Sequence, residues 1–280
     1  MVSRRAVLGG LGATAVLGTA GITAAVDEDK LLHKLGLRNS PDHRVPVSNR
    51  VVETQTMKSA AMGKDVSWAI ALPTRPPAGV VVCLHGQAED HRFAFEEVYL
   101  HDVAADLDLD LAIAAIDGGP VSYWHPRDDG TDSMALVLDE FIPLLESRLG
   151  KGLPIALLGW SMGGYGALLF AERRPERFEA IAAASPALFS VFEEAFDGAF
   201  DSPSDFAEFD VRPGIARLSA VDVRIDCGEQ DWFVDNSRSF AEKLPRPNLG
   251  RFSRGYHDIA YWRSITPDQL TTIAQSMGIR

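Results

Sequence analysis

The chain is poor in cysteine: its 280 residues hold two, Cys83 and Cys227. No CxxC pair exists and no Cys/His cluster has zinc spacing, which argues against a structural metal. Both cysteines lie in apolar runs that read as non-adjacent strands of one sheet. Their Cα atoms would then lie beyond the roughly 4.4–6.8 Å that a disulfide spans, so both read as buried small hydrophobes. Positive charge is also scarce. Lys and Arg number 27 against 39 Asp and Glu, a formal net charge of -12. Such a surface repels phosphate backbones, so no nucleic-acid partner is expected, and its ordinary consequence is solubility. Hydrophobic residues make up 46% of the chain, enough for a sizeable core.

Charge is missing altogether from Ala6 to Val26, directly after Met1-Val2-Ser3-Arg4-Arg5. A basic start, a weakly apolar run rich in Gly, Ala and Thr, and small residues at Thr23 and Ala25 have the tripartite form of an export signal. Ser3-Arg4-Arg5-Ala6-Val7-Leu8 resembles a twin-arginine signal. Cleavage before Val26 is the expectation. The alternative is a retained anchor, since about 20 apolar residues suffice to span a bilayer; membrane association is expected only in that case. No Cys follows the run, which rules out a lipoprotein anchor. The expected organisation is therefore a signal over 1–25, a poorly packed leader over 26–49 with Pro41 and Pro46 breaking any helix, and one domain over 50–280.

Within that domain, strand and helix alternate. Arg50–Met57 and Val66–Leu72 read as strands joined by a hairpin at Gly63. Val80–Leu84, Leu111–Ile116 and Ile155–Leu158 are continuous apolar runs, suited to strands buried on both faces. Phe178–Ala184 and Val221–Cys227 follow, with Arg251–Ser253 as a weaker last strand. Helices are expected over Phe93–Leu107, Ser133–Leu149 (kinked at Pro143), Met162–Arg173, Asp235–Leu244 and Pro267–Met277. The alternation implies a mostly parallel sheet covered by helices on both faces, the α/β class. A Phe-rich insertion at residues 186–214 interrupts the rhythm. It reads either as a cap over the strand ends, where ligands bind in such sheets, or as a surface helix packed by its Phe face.

Gly159-Trp160-Ser161-Met162-Gly163 fits G-x-S-x-G, entered by an apolar strand and left by a helix of small residues. That strand–turn–helix holds a serine in a sharp turn from which its hydroxyl projects. Glycines on either side remove Cβ atoms that would clash. A serine hydroxyl needs a base, and His257 is the only histidine after Ser161. The acid belongs after the strand before it, where Gly228-Glu229-Gln230-Asp231 stands. Asp231 is favoured, Glu229 is the rival and Asp235 a distant third. The oxyanion hole is assigned to the backbone N–H groups of Met162 and Gln87, the latter in the loop His85-Gly86-Gln87. His85 reads as a loop-ordering hydrogen-bond partner. Trp160 and the loop residues Tyr123, Trp124 and His125 are assigned to the wall of a substrate pocket; ordinary loop aromatics are the alternative for that trio.

Taken together, His85-Gly86-Gln87, the Gly159–Gly164 motif, Gly228-Glu229-Gln230-Asp231 and Gly255-Tyr256-His257-Asp258-Ile259-Ala260-Tyr261-Trp262 resemble the putative-esterase branch of the α/β-hydrolase superfamily. This branch includes esterase D (S-formylglutathione hydrolase) and the mycobacterial mycolyltransferases. The resemblance spans roughly residues 50–265. It implies an α/β-hydrolase fold, a Ser161–Asp231–His257 triad, and an oxyanion hole at Gln87 and Met162. Mycolyltransferases commonly use Glu as the acid, which keeps Glu229 open. The expected activity is that of an exported serine carboxylic-ester hydrolase, cofactor-free, acting through an acyl-enzyme on a small-molecule or lipid ester. The alternatives are a cell-envelope acyltransferase with the same triad and a binding protein on a retired hydrolase scaffold.

Overall fold

In a computed structural model of the chain, residues 32–33, 37–41 and 44–279 are described. The export signal expected over 1–25 lies outside them. Val52–Ser59 (β1) and Lys64–Ala71 (β2) form the expected hairpin, turning at Gly63 with φ +63°. The further strands are Gly79–Leu84 (β3), Leu111–Ile116 (β4), Ile155–Trp160 (β5), Ala180–Ala184 (β6), Asp222–Gly228 (β7) and Phe252–Ser253 (β8). They form one eight-stranded sheet in the order β1-β2-β4-β3-β5-β6-β7-β8. β2 pairs antiparallel with β1 and β4, and every other pairing is parallel.

Every residue of β3, β4, β5 and β6 is buried, which explains why these strands read as unbroken apolar runs. Successive side chains alternate between the sheet's faces. Val80, Val82 and Leu84 join Phe141, Ile142 and Leu168 in one core. Val81 and Cys83 join Val103, Ile265 and Leu270 in the other. Cys83 on β3 and Cys227 on β7 are buried free thiols, separated by β5 and β6.

The helices are Leu100–Asp106 (α1), residues 133–149 (α2), Met162–Arg173 (α3), Pro203–Phe209 (α4), Val234–Ala241 (α5) and Ile259–Ser276 (α6). Two depart from expectation. The helix expected over Phe93–Leu107 is broken at Tyr99, whose φ of +57° ends a wide turn at Phe93–Glu97 and restarts the chain as α1. The last helix begins at Ile259 and runs through Pro267. Asp258 caps it, accepting the Tyr261 N–H at 2.8 Å, and burial of Tyr261, Trp262, Ile265 and Leu270 holds the first turns in place despite the proline. α2 changes to a wider turn at Leu136–Phe141, just before Pro143 opens its last segment. No helix among the described residues is long and apolar enough to cross a membrane.

Candidate active site

Three loops at the C-terminal ends of β5, β7 and β8 meet beside the loop that follows β3. Ser161 stands between β5 and α3 with φ +52° and ψ −114°, a conformation rare for a residue with a side chain. Its backbone is over-determined: its N–H donates to Ala184 O at 2.9 Å, while its carbonyl accepts the N–H groups of Tyr165 and Ala187, each at 3.0 Å. The glycines around it are steric requirements. A Cβ on Gly159 would fall 2.2 Å from Gly163 O, and one on Gly163 would fall 1.9 Å from Leu84 O. Gly163 thus lets the start of α3 press against the end of β3 and brings the His85–Gln87 loop to the nucleophile.

Asp231 follows β7 and His257 follows β8. These two turns also touch through glycines, since a Cβ on Gly228 would fall 2.3 Å from Gly255 O. Gly255 N–H donates to Gln230 Oε1 at 2.9 Å and Gln230 N–H donates to Gly255 O at 3.0 Å, so the acid and base loops are laced together. His257 Nδ1 lies 2.9 Å from Asp231 Oδ2, and His257 Nε2 lies 3.0 Å from Ser161 Oγ. A carboxylate only accepts, so Nδ1 carries the proton and Nε2 is left to receive the serine's. Asp231 is wholly buried, and its second oxygen accepts Phe233 N–H at 2.8 Å. Glu229 and Asp235 are exposed, and neither reaches the imidazole. The geometry thus selects Asp231 from the acids the sequence left open.

The imidazole of His257 is enclosed by aromatic rings. Trp262 and Phe233 meet it edge-on at centroid distances of 5.2 and 5.3 Å, and Trp232 lies tilted at 4.7 Å. Trp262 Nε1–H donates to Ser185 Oγ at 3.2 Å, which fixes that wall. Trp232 and Phe233 were not among the residues singled out from sequence. The available signal was an aromatic pair directly after the acid.

On the oxyanion side, Met162 is the first residue of α3, where a helix N–H has no intrahelical acceptor. Gln87 is exposed at the tip of its loop. Buried His85 orders that loop: Gly118 N–H donates to its Nε2 at 3.0 Å and its Nδ1–H donates to Gly86 O at 2.8 Å. Burial lowers the His85 pKa and keeps the ring neutral, as an accepting nitrogen requires. Glu89 Oε2 takes Gly86 N–H at 2.7 Å.

The expected pocket wall is rearranged. Trp160, Trp124 and His125 are fully buried, so none of them faces a ligand. Trp160 packs into the core against Phe93, because alternation along β5 puts residue 160 on the same sheet face as Ala156 and Leu158. Trp124 lies over Gly118 and Gly166 and donates its indole N–H to His85 O at 3.2 Å. His125 is sandwiched between Phe200 and Phe209 at 5.2 and 4.6 Å, its nitrogens facing the carbonyls of Ala199 and Pro126. Tyr123 is also buried and sits behind the site, with its hydroxyl 3.4 Å from Gln87 Oε1. These residues hold the insertion and the oxyanion loop in place. The insertion packs Phe189, Phe200 and Phe209 inward and leaves Phe196 exposed next to Phe233.

Among the described residues, one trio of metal-ligand type, Asp90, His91 and Asp117, gathers beyond the oxyanion loop. His91 donates to Asp117 Oδ1 from its backbone N–H and its Nδ1, and Arg92 pairs with Asp90. These contacts engage Nδ1 of His91, while its buried Nε2 has no hydrogen-bond partner.

Residues 59–272 match the family described as Putative esterase, and the chain belongs to that family. Its activity class is that of a serine esterase. No curated protein matches the chain. Solved structures share the fold. A ferulic acid esterase aligns at TM-score 0.72 with 21% identity, covering 81% of this chain and 98% of its own. An S-formylglutathione hydrolase from Agrobacterium tumefaciens aligns at 0.70 with 18% identity, covering 82% and 96%. MPT51 of Mycobacterium tuberculosis aligns at 0.63 with 17% identity, covering 80% and 99%.

Proposed function

We propose that this esterase is an exported carboxylic-ester hydrolase working through an acyl-enzyme on Ser161. The observation that carries the reading is the unbroken line from Asp231 through His257 to Ser161, at 2.9 and 3.0 Å, on a strained elbow. His257 Nε2 takes the hydroxyl proton as Ser161 Oγ attacks the ester carbonyl, and Asp231 stabilises the imidazolium that forms. The N–H groups of Met162 and Gln87 receive the oxyanion. The imidazolium then protonates the departing alcohol. Water, deprotonated by the same His257, releases the acid. The Arg4-Arg5 signal supports export of the enzyme, with action on small-molecule or lipid esters outside the cytoplasm.

Labelling with a fluorophosphonate tests the nucleophile. The wild type should label, and Ser161→Ala should neither label nor turn over an activated ester while keeping its fold. Labelling that persists in Ser161→Ala would refute the assignment. Products formed with a competing alcohol present decide the acceptor: free acid alone means hydrolysis, and a new ester means transfer.

A further inference from the structure

The stretch before β1 reads as a poorly packed leader, yet its described part is docked on the enzyme. Ser40 is only 7% exposed. Its hydroxyl accepts the backbone N–H of Tyr256 at 2.9 Å, and its own N–H donates to Asp258 Oδ2 at 2.8 Å. These two partners flank His257. One serine, more than 200 residues away in sequence, therefore grips both neighbours of the base.

The grip is tied into the fold at each end. Asp258 uses its other oxygen to cap α6 at Tyr261 N–H, so a single carboxylate joins the arm to the helix. The His33 ring stacks on Tyr256 at 4.4 Å with 18° between planes, and its Nδ1–H donates to Arg38 O at 2.6 Å. Pro41 disfavours a helical conformation at Ser40, which keeps the arm extended across the loop. The base loop needs such a brace. It leaves β8, a two-residue strand at the sheet edge, and is laced to the acid loop through Gln230.

We propose that Ser40 is a positioning residue for the base: from the N-terminal arm it sets the peptide units on both sides of His257 and so the reach of Nε2 to Ser161. It touches no reacting atom. A base displaced by about 1 Å loses on the order of 10²-fold in rate, so the arm's effect should fall on turnover rather than on substrate binding. The inference rests on the serine-esterase reading.

The test uses the full chain with Ser40→Ala, Ser40→Thr and Asp258→Asn. Threonine keeps the hydroxyl acceptor. Asparagine keeps an oxygen for the helix cap but turns an NH2 group toward the Ser40 N–H. For Ser40→Ala and Asp258→Asn, kcat for a p-nitrophenyl ester should fall about tenfold or more with KM within about twofold. Ser40→Thr should recover most of the loss. The two substitutions break different contacts of one serine, the hydroxyl to Tyr256 and the backbone N–H to Asp258, so the double variant should be worse than either single one. Fluorophosphonate labelling of Ser161 should slow by the same factor, a readout that needs no knowledge of the natural ester. Wild-type kcat and labelling rate in folded Ser40→Ala or Asp258→Asn would overturn the proposal, as would a lower melting temperature with kcat unchanged. Failure of the wild type itself to label would count instead against Ser161 as nucleophile.

Discussion

Glu89 Oε2 accepts the backbone N–H of Gly86 at 2.7 Å, one residue before the peptide assigned to the oxyanion. Burial pushes this carboxyl up to about 7, against the pull of the Gly86 hydrogen bond and with help from the negative charges of Asp90 and Glu97. The folded protein therefore holds the Glu89 proton more tightly than the unfolded chain does. By linkage, stability should fall as pH rises from about 4.5 towards 7, and this contribution should be flat above it. Glu89→Gln removes the titration and keeps an oxygen for Gly86. Denaturant midpoints of the two proteins at pH 5 and pH 8 should show a pH-dependent gap on the order of 1 kcal/mol, reduced from the full shift by solvent screening. An unchanged gap would mean that Glu89 ionises freely.

Asp231→Asn keeps the shape of the acid and removes its charge. His257 would then be free to take the wrong tautomer. By the scale known for that change in serine protease triads, kcat should drop about 10³- to 10⁴-fold. Glu229→Gln alters only an exposed side chain and should leave kcat within about twofold. Steady-state kinetics on a soluble activated ester compare the two. A larger loss in Glu229→Gln would move the acid to residue 229.

Gly163→Ala would set a methyl 1.9 Å from Leu84 O and 2.8 Å from His85 O. Both neighbours are backbone, so the strand end or the helix must move. The expected cost is about 3 kcal/mol or more, read as a lower urea midpoint or loss of soluble protein. A near-wild-type midpoint would show that α3 can shift away from β3, and activity should then be lost through displacement of the oxyanion loop.

Much of this architecture was legible because it is written in local patterns. The buried strands β3, β4 and β5 appear as unbroken apolar runs, since both of their faces are covered. The nucleophile turn requires small residues at fixed offsets from Ser161, and glycine is the only residue without a Cβ. The position of His257 after Ser161 follows from there being one candidate. The helix expected from Phe93 failed where Tyr99 adopts a positive φ that no local pattern demanded. Pro267 suggested a helix start, but the Asp258 cap and tertiary burial carried the helix across it.

The sequence by itself determined the class of fold and singled out Ser161 and His257 as candidates, because periodicity and turn chemistry act between near neighbours in the chain. Which acid reaches His257, which aromatic side chains face the core rather than a substrate, and what the N-terminal arm does were decided only by tertiary structure. Asp231 prevails over Glu229 because the turn after Gly228 buries one and exposes the other. Trp160, Trp124 and His125 are structural because neighbouring glycines and phenylalanines leave room for them inside. Ser40 meets Tyr256 and Asp258 only when the two ends of the chain come together, a contact that depends on how the whole sheet is assembled and leaves no mark on any short stretch of sequence.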